Sequence, residues 1–427
     1  MELSKFSTVA APTHTGTIAA GKVRGLVPKI NSDMGLLEPP EVVSIPLSVA
    51  CQYAKGVNEL IALDMPCGPQ MVERIKKAWD EGDAVFPLDQ RAPHAMRTRL
   101  LNAASPTRIA TTQEETTWPG RPVDTGDAVV IATSGTTGDP KCVVLTTEAL
   151  RASAQATHGF LNTSVDDKWL CCLPPSHVGG FGVLARAILS NIAVEAVPAF
   201  NAQAYEDAAK SGATLVSLVP TALQRVDPRL YRKILVGGSQ ALHPLPENCI
   251  TTYGMTETGG GIVYNGKALE GVEIEIRESI VHVRAPMLMR MFRDGSQPFT
   301  SDGWLCTGDI GSLNEDGILQ VEGRQGDLII TGGENVWPSV VEQTLMLHPK
   351  IQEVCVAGVP DSIWGHSVTA WIVLSTSELL TLEEIRAHVK NTLPSYCAPQ
   401  RIILVNEIPK TSLGKPQRNL LVTSIDE

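Results

Sequence analysis

A short segment rich in glycine and hydroxyl residues is the part of the sequence best suited to bind phosphate. The run TSGTTGDPK (133–141) follows the apolar run AVVIAT, and no GK[ST] leads into a helix as in the Walker pattern. Glycines let backbone N–H groups approach phosphate, hydroxyls add donors and the lysine adds charge, although a plain turn can look similar. The predicted phosphate-binding residues are Thr133, Ser134, Gly135, Thr136, Thr137, Gly138 and Lys141.

Three later segments carry side chains that suit nucleotide chemistry. TYGMTET (252–258) supplies a flat aromatic ring, hydroxyls and the carboxylate of Glu257, a hard oxygen ligand that suits Mg²⁺. CTGDIG (306–311) supplies Asp309, and PKTSLGKPQR (409–418) supplies Lys415 on a glycine- and proline-flanked loop. Taken singly, such residues are more often core tyrosines, turn-capping aspartates or solvated charges, so their significance depends on their occurring together.

The elements that must position these segments alternate between short apolar runs and helical patterns. A helix capped near Thr146 or Thr147 follows the second strand of the phosphate-loop region. Each apolar run ends in turn residues, which predicts strand–helix units around a largely parallel sheet. The predicted buried strands include residues 128–133, 169–175, 213–220 and 233–238.

Beyond Ile274 the pattern changes twice. IEIRESIVHVRA predicts a hairpin, and GWLCTGDIGSLNEDGILQVEGR predicts a meander with turns at SDG and NEDG. After Arg324 a compact α+β unit of about 100 residues begins, which is an ordinary domain size. The predicted fold class is therefore α/β. A large layered N-terminal domain (1–325), with a small β-rich portion near 270–323, is hinged to a small α+β C-terminal domain (326–427).

The composition narrows the class of function. The net charge of −11 argues against sequence-independent binding to nucleic acid or to anionic membranes, both of which need a basic surface. The longest uncharged run, 169–185, contains two prolines and three glycines, so no membrane span is expected. The nine cysteines show no metal-ligand spacing, which favours buried thiols in a reducing, cytoplasmic compartment. The composition leaves the oligomeric state open, a homodimer included.

The ordered motifs resemble those of the adenylate-forming superfamily, which includes acyl-CoA synthetases, luciferases and peptide-synthetase adenylation domains. The resemblance runs from about residue 128 to the end of the chain. Its motifs are TSGTTGDPK (133–141), PPSHVGG (174–180), VGGSQAL (236–242), TYGMTET (252–258), CTGDIG (306–311), GRQGDLIITGGENVWP (323–338) and PKTSLGKPQR (409–418).

The resemblance implies a carboxylic acid, ATP with Mg²⁺, and coenzyme A as the small-molecule partners. Lys415 would neutralise the acid carboxylate and the α-phosphate as the adenylate forms, and His177 would gate the passage between the acyl and thiol sites. The other implied residues are Gly238, Tyr253 and Gly254 at adenine, Asp309 and Arg324 at ribose, Thr256 at the α-phosphate, Glu257 at Mg²⁺, Gly180 and Thr252 at the acid, and Gly332 and Gly333 at the thiol tunnel.

Two positions depart from the family pattern. Gly326 stands where the family has Asp or Lys at the domain hinge, and Cys142 stands where the family has Gly after the loop lysine. Glycine tolerates the backbone rotation that a hinge needs, but it provides no side-chain latch. Cysteine after the lysine alters the expected geometry of the loop rather than its role.

The short N-terminal part and the stretch TYGMTETGGGIVYNGKALEGVEIEI resemble the o-succinylbenzoate–CoA ligases of menaquinone biosynthesis. Arg186 lies about two helical turns beyond His177, where a cation could meet the second carboxylate of a dicarboxylic acid. An exposed helix charge or a structural ion pair is the alternative interpretation of Arg186.

Three other functions remain open at this point. The nearest is an acyl- or aryl-CoA ligase for another acid, and the second is an adenylation enzyme that loads a carrier protein. The third is a nucleotide-binding regulator without catalysis, against which the presence of Lys415, Glu257 and the 133–141 loop argues.

Overall fold

The computed structural model of the protein describes residues 24–26, 42–44, 57–133, 140–238, 245–375, 378, 380–410 and 416–425. The chain forms two compact units, Met1–Val57 and Asn58–Glu427. In the first unit, strands Arg24–Leu26 and Val42–Ser44 pair antiparallel. All elements described below belong to the second unit.

Sheet A is a mixed sheet of seven strands. Its centre is parallel, because Leu60–Leu63 pairs in parallel with strands on both sides. Both edges are antiparallel, and the strands on either side of the predicted phosphate loop lie next to the edge strand Met291–Phe292. In spatial order the strands are Met291–Phe292, Lys141–Thr146, Asp127–Thr133, Ala84–Pro87, Leu60–Leu63, Arg108–Ala110 and Glu115–Thr117.

Sheet B also has seven strands. Five consecutive strands are parallel, and the last two add an antiparallel edge. In spatial order they are Ala193–Ala196, Lys168–Cys171, Leu215–Leu218, Lys233–Val236, Cys249–Met255, Gly260–Tyr264 and Lys267–Ala268. The sequence predicted one largely parallel sheet, whereas the structure has two sheets, each parallel in its interior and antiparallel at an edge.

Successive residues of a strand point to opposite faces of the sheet, and apolar residues occupy both faces here. Helices therefore cover both faces of each sheet. Ile61 and Leu63 lie in a core shared with sheet B, while Leu60 and Ala62 face the outer core of sheet A. The shared core is filled by helices Pro69–Asp80, Thr147–Leu161 and Val178–Leu189. Helix His94–Ala104 covers the outside of sheet A, and helices Ala202–Lys210 and Pro220–Leu223 cover the outside of sheet B.

The helix after the phosphate-loop hairpin begins where the sequence predicted. Thr146 is its N-cap, and the Thr146 hydroxyl accepts a hydrogen bond from the Ala149 amide at 3.1 Å. This bond satisfies one of the amides that the first turn of a helix leaves unpaired. The end of strand Lys141–Thr146 and the start of the helix are therefore fixed together.

Sheet C is the small β-rich portion, and it is antiparallel throughout. The predicted hairpin is confirmed: its two-residue turn places Glu278 and Ser279 at φ of 50° and 65°. Such left-handed pairs match the twist of the flanking strands. The strands in spatial order are Glu273–Arg277, Ile280–Arg284, Leu305–Leu313 and Leu319–Arg324.

Sheet D and its helices have buried cores of their own. The strands in spatial order are Glu334–Val336, Ile329–Thr331, Gly365–Leu374 and Ile351–Asp361, and Arg401–Leu404 pairs in parallel with Gly365–Leu374. The helices are Pro338–Met346, Leu382–Lys390 and Arg418–Thr423. The short 3₁₀ helices in the described parts of the chain are Pro228–Leu230, Thr256–Thr258, Gln325–Asp327 and Ser395–Cys397.

The predicted α/β class with a smaller α+β part is confirmed. The predicted boundary after residue 325 falls in Gln325–Asp327, between sheet C and sheet D. The boundary itself stays a prediction, because the structure joins residues 58–427 in one compact unit. Among the described helices, none combines the length and the apolar character needed to cross a bilayer.

Candidate active site

The predicted phosphate loop joins two antiparallel strands of sheet A. Thr133 ends the first strand and pairs with Lys141, which begins the second, and the Thr133 hydroxyl donates to the Lys141 carbonyl at 3.3 Å. The Lys141 ammonium lies 5.2 Å from the centre of the Phe292 ring. Ser134, Gly135, Thr136, Thr137 and Gly138 lie outside the described residues. The structure therefore fixes both ends of the loop in a hairpin.

Cys142 is a core residue immediately after this loop. Its side chain is buried, and burial raises the pKa of its thiol to about 12. Its carbonyl accepts from the Arg293 amide at 2.7 Å. The departure from glycine at this position therefore places a small apolar group in the core of sheet A, where free cysteine often lies.

Tyr253, Asp309 and Arg324 meet although they are far apart in the sequence. The Tyr253 hydroxyl donates to one Asp309 carboxylate oxygen at 2.7 Å, and Arg324 Nε lies 2.8 Å from the other. Burial and the neighbouring Asp309 raise the pKa of Tyr253, so its hydroxyl stays protonated. Strands of sheets B and C thus bring together the three residues predicted to contact adenine and ribose.

The strand that carries Tyr253 approaches its neighbours very closely. A Cβ at Gly254 would lie 2.0 Å from the Gly260 carbonyl oxygen, and one at Gly237 would lie 2.4 Å from the Thr252 hydroxyl. The Thr252 hydroxyl donates to the Val236 carbonyl at 3.3 Å. Gly238 follows at φ 88°, in the left-handed region. These glycines are required by packing at the end of sheet B, where the motif residues collect.

Thr256 and Glu257 lie in the 3₁₀ turn that follows this strand. The turn is held by Thr258, whose hydroxyl accepts from the Met255 amide at 2.8 Å and contacts the Gly260 carbonyl at 2.7 Å. Among the described residues, no group of three or more metal-ligating side chains could hold a metal alone. One carboxylate suits Mg²⁺ nevertheless, because this ion usually binds through one or two carboxylates together with nucleotide phosphates.

His177 is the N-cap of helix Val178–Leu189, and its backbone is extended. Its Nε2 lies 3.8 Å from a carboxylate oxygen of Asp89, which follows strand Ala84–Pro87 of sheet A. Three residues later, a Cβ at Gly180 would lie 2.3 Å from the Pro174 carbonyl oxygen. The start of the helix therefore packs directly on the loop that precedes it.

Arg186 lies in the interior, between helix Val178–Leu189 and sheet B. It is 5% exposed, and its guanidinium carbon lies 4.9 Å from the centre of the Trp169 ring. Its Nη2 contacts the Ser217 hydroxyl at 3.4 Å, and its Nε is buried without a hydrogen-bond partner among the described residues. Burial lowers the pKa of Arg186. Among the described residues, no carboxylate pairs with Arg186. The interpretation of Arg186 as a member of a structural ion pair therefore has no support in these residues.

A cavity of about 320 Å³ opens beside His177, within the size range of ligand pockets. Its apolar wall includes Met65, Met71, Phe200 and Val219, and a Cβ at Gly238 would lie 3.4 Å from Val219. The Ser176 hydroxyl is buried without a hydrogen-bond partner among the described residues. The polar side chains of the wall are Asp89, Gln90, Arg91, Ser176, Thr221 and Arg225.

Sequence reasoning did not find this set of polar residues, and Arg186 does not line the cavity. One signal was present: AVFP (84–87) is a short apolar run followed by the polar residues of LDQR. A run of this kind predicts a strand whose end carries functional side chains. Its proximity to His177 depends on the pairing of strands, which the local pattern does not give.

Gly332 and Gly333 form the turn between strands Ile329–Thr331 and Glu334–Val336. Their φ values are 59° and 86°, and a Cβ at Gly332 would lie 2.8 Å from the Trp364 ring. The Gly332 amide donates to the Trp364 carbonyl at 2.8 Å. The proposed thiol-tunnel loop is therefore a tight turn next to a half-exposed tryptophan. Lys415 lies outside the described residues.

Comparison with known proteins gives two family matches. Residues 67–287 match the AMP-binding enzyme family, and residues 340–415 match the AMP-binding enzyme C-terminal domain. The chain is 34% identical over 356 residues to a probable 2-succinylbenzoate–CoA ligase of Mycobacterium tuberculosis, covering 76% of this chain and 92% of the relative. It is 33% identical over 339 residues to the 2-succinylbenzoate–CoA ligase of Bacillus anthracis, covering 70% of each.

A solved structure agrees with this grouping. The o-succinylbenzoate coenzyme A synthetase of Bacillus subtilis, in complex with ATP and magnesium ion, superimposes with a TM-score of 0.76. The two are 25% identical, and the match covers 88% of this chain and 91% of that one. With the motif residues collected as described above, these findings show that the chain belongs to the family of AMP-binding enzymes.

Proposed function

We propose that this protein activates o-succinylbenzoate with ATP and transfers the acyl group to coenzyme A, a step of menaquinone biosynthesis. The ligase chemistry follows from membership of the AMP-binding family and from the names of the relatives. The observation that carries the choice of acid is Arg186, a buried cation without a carboxylate partner among the described residues. An unpaired buried charge is costly, so a second carboxylate on the substrate would be a favourable partner.

The cavity supports the same acid. Its wall is largely apolar, which suits an aromatic ring, and Ser176 adds a hydroxyl without a partner among the described residues. A buried hydroxyl without a partner costs roughly 1–3 kcal/mol. A ketone or carboxylate oxygen of the acid would satisfy it. A Cβ at Gly238 would lie 3.4 Å from Val219, so this wall is next to a residue predicted on the nucleotide side of the site.

In the first half-reaction, the substrate carboxylate attacks the α-phosphorus of ATP and pyrophosphate leaves. Tyr253, Asp309 and Arg324 hold the nucleoside, and Thr256 donates to the α-phosphate. Glu257 would hold Mg²⁺, which supplies positive charge to the phosphates. Lys415 neutralises the charge that the carboxylate and the α-phosphate share in the transition state. Catalysis is therefore positioning plus charge neutralisation.

In the second half-reaction, the thiol of coenzyme A attacks the acyl carbon of the mixed anhydride and AMP leaves. His177 gates the path to the acyl carbon, and Gly332 and Gly333 line that path without side chains. We further propose that residues 326–427 rotate about Gly326 between the two steps, as hinged domains do in other enzymes.

We place the protein in the cytoplasm, where thiols stay reduced. Seven of the nine cysteines are buried thiols, namely Cys67, Cys142, Cys171, Cys172, Cys249, Cys355 and Cys397. A homodimer stays a prediction.

The test is a panel of carboxylic acids, assayed with ATP and Mg²⁺ for AMP release that depends on coenzyme A. The panel contains o-succinylbenzoate, benzoate, a medium-chain fatty acid and malonate. The proposal predicts that o-succinylbenzoate gives the highest kcat/KM. A higher kcat/KM for a monocarboxylic acid contradicts the choice of acid. Acyl transfer to a carrier-protein thiol but not to coenzyme A contradicts the choice of acceptor.

A further inference from the structure

We infer that Asp89 is a positioning residue for His177, and that Arg91 holds Asp89 in place for this task. The inference rests on the proposed function, because it concerns the gate that His177 forms in the second half-reaction. It adds two residues that follow strand Ala84–Pro87 of sheet A, the sheet that also carries the phosphate-loop hairpin.

The Asp89 carboxylate is fixed in one orientation. One oxygen accepts from the Arg91 backbone amide and from Arg91 Nε, each at 3.0 Å, and the other accepts from Arg91 Nη2 at 3.0 Å. The Asp89 side chain is 11% exposed. Burial would raise the pKa of Asp89, but the hydrogen bonds from Arg91 outweigh it and the pKa lies below its ordinary value. The carboxylate is therefore charged and is held by Arg91.

The imidazole of His177 faces this carboxylate. The distance from Nε2 to the second Asp89 oxygen is 3.8 Å, which is within ion-pair range but longer than a hydrogen bond. The backbone of His177 is held at both ends, because its amide donates to the Pro174 carbonyl and its carbonyl accepts from the Phe181 amide. In this orientation of the ring, Nε2 lies on the side of Asp89, which lines the cavity.

This arrangement suits a gate. A gating ring must keep one orientation while the acyl-adenylate forms and must leave it when the thiol enters. A direct hydrogen bond would hold the ring firmly, whereas a carboxylate at 3.8 Å that already pairs with Arg91 attracts it more weakly. The charge of Asp89 thus favours one orientation of the ring, and the loss of that charge should appear in the thiol-dependent step.

The alternative is that Asp89 only forms a turn. Asp227 provides the matched case, because it makes the same contacts with Arg229 two residues later, at 3.0 Å from the amide and 2.9 Å from Nε. Among the described histidines, none lies within ion-pair distance of Asp227. If Asp89 had a purely local role, Asp89→Asn and Asp227→Asn would have the same effects on the two half-reactions and on Tm.

The experiment is a double-mutant cycle in Asp89→Asn, His177→Ala and the double variant, with Asp227→Asn as the control. Adenylation is followed by pyrophosphate release, thioester formation is followed from supplied acyl-adenylate and coenzyme A, and Tm is recorded for each variant. We expect Asp89→Asn to slow thioester formation from supplied acyl-adenylate by roughly 3- to 30-fold, as is usual for coupled neighbours, and to slow adenylation at saturating acid by less. In the His177→Ala background the same substitution should have no further effect.

Additive effects in the two backgrounds would overturn the positioning role, as would an equal loss in both half-reactions accompanied by a lower Tm. If His177→Ala leaves thioester formation unchanged, the gate assigned to His177 in the proposed function fails instead. Should Asp89→Asn fail to fold, Asp89→Glu keeps the charge but moves it, and the same cycle applies to it.

Discussion

Arg186 shows at the residue scale how an unusual environment points to a ligand. A guanidinium in the protein interior normally pairs with a carboxylate or with several carbonyls. Arg293 shows the ordinary case, because its guanidinium donates to the carbonyls of Ala104 and Pro122. Arg186 has an aromatic ring and one distant hydroxyl, and its Nε has no partner among the described residues. The missing acceptor is the reason to expect an anionic substrate here.

Arg186→Leu should therefore raise the KM for o-succinylbenzoate far more than the KM for ATP. In the proposed complex, Arg186 contacts the ring carboxylate in the ground state and in the transition state alike. The loss of this contact should therefore change KM with little effect on kcat. The loss of such a contact to a buried charge costs several kcal/mol, and steady-state kinetics with each substrate varied in turn measures it. Leucine fills a similar volume, so the fold should survive.

Arg225→Leu is the comparison variant, because Arg225 lines the cavity whereas Arg186 does not. If the larger increase in KM belongs to Arg225→Leu, the ring carboxylate lies in the cavity and the role given to Arg186 is wrong. An unchanged KM together with a lower Tm in Arg186→Leu would make Arg186 a structural residue.

At the scale of elements, helix Thr147–Leu161 is tied to sheet B through His158. Trp169 Nε1 donates to His158 Nε2 at 3.2 Å, so this ring nitrogen must lack a proton. The other nitrogen lies 3.1 Å from the Ser190 hydroxyl. Burial, together with the charge of Arg186, lowers the pKa of His158 to about 4. The folded protein therefore keeps this histidine neutral, whereas the unfolded chain protonates it near pH 6.5.

Stability should consequently fall as the pH drops from about 6.5 toward 4, because the unfolded state binds the additional proton in this range. Measurements of Tm at pH 7 and pH 5 test the effect in the wild type and in His158→Gln. Glutamine can accept from Trp169 but does not titrate, so the variant should lose less Tm between the two pH values. An identical loss in both proteins would exclude His158 as a source of the pH dependence.

The proposed hinge gives a second prediction at the scale of elements. Gly326 lies in the 3₁₀ turn Gln325–Asp327, and a Cβ there would meet no atom within 4 Å. Gly326→Ala should thus leave both half-reactions nearly unchanged. Gly326→Pro should slow thioester formation more than adenylation, because proline fixes φ near −65° and the hinge must change its backbone angles. Single-turnover rates of the two steps give the comparison. If wild type and Gly326→Pro have equal rates in both steps, Gly326 is not the pivot.

For the whole molecule, the sequence predicted local features better than spatial relations. The hairpin at 273–284, the cap at Thr146 and the strands around the phosphate loop depend on nearby residues, and the structure confirms them. The division of the strands into two mixed sheets depends on pairing between distant segments. The contact between Asp89 and His177 depends on the same pairing. The family was recognisable because its motifs and their order are visible in the sequence alone.

The proposed two-step cycle predicts different effects of one substitution on the two steps. Lys415→Ala should slow adenylation by roughly 10²–10³-fold, the usual loss for a group that stabilises transition-state charge. It should spare thioester formation from supplied acyl-adenylate, since in the proposed cycle the lysine serves only the first step. Lys410→Ala is the control. Lys410 lies in the same segment as Lys415 (409–418), and its ammonium pairs with the Glu353 carboxylate at 2.7 Å. Equal losses in both steps for Lys415→Ala would contradict the domain rotation.

The most direct measurement is the rate at which the purified protein forms o-succinylbenzoyl-CoA from o-succinylbenzoate, ATP, Mg²⁺ and coenzyme A, followed by mass spectrometry of the thioester and by release of AMP. The proposed function predicts one AMP per thioester, and no product when ATP or coenzyme A is omitted. Absence of the thioester from a folded protein that activates another acid, or that binds ATP without releasing pyrophosphate, would contradict it.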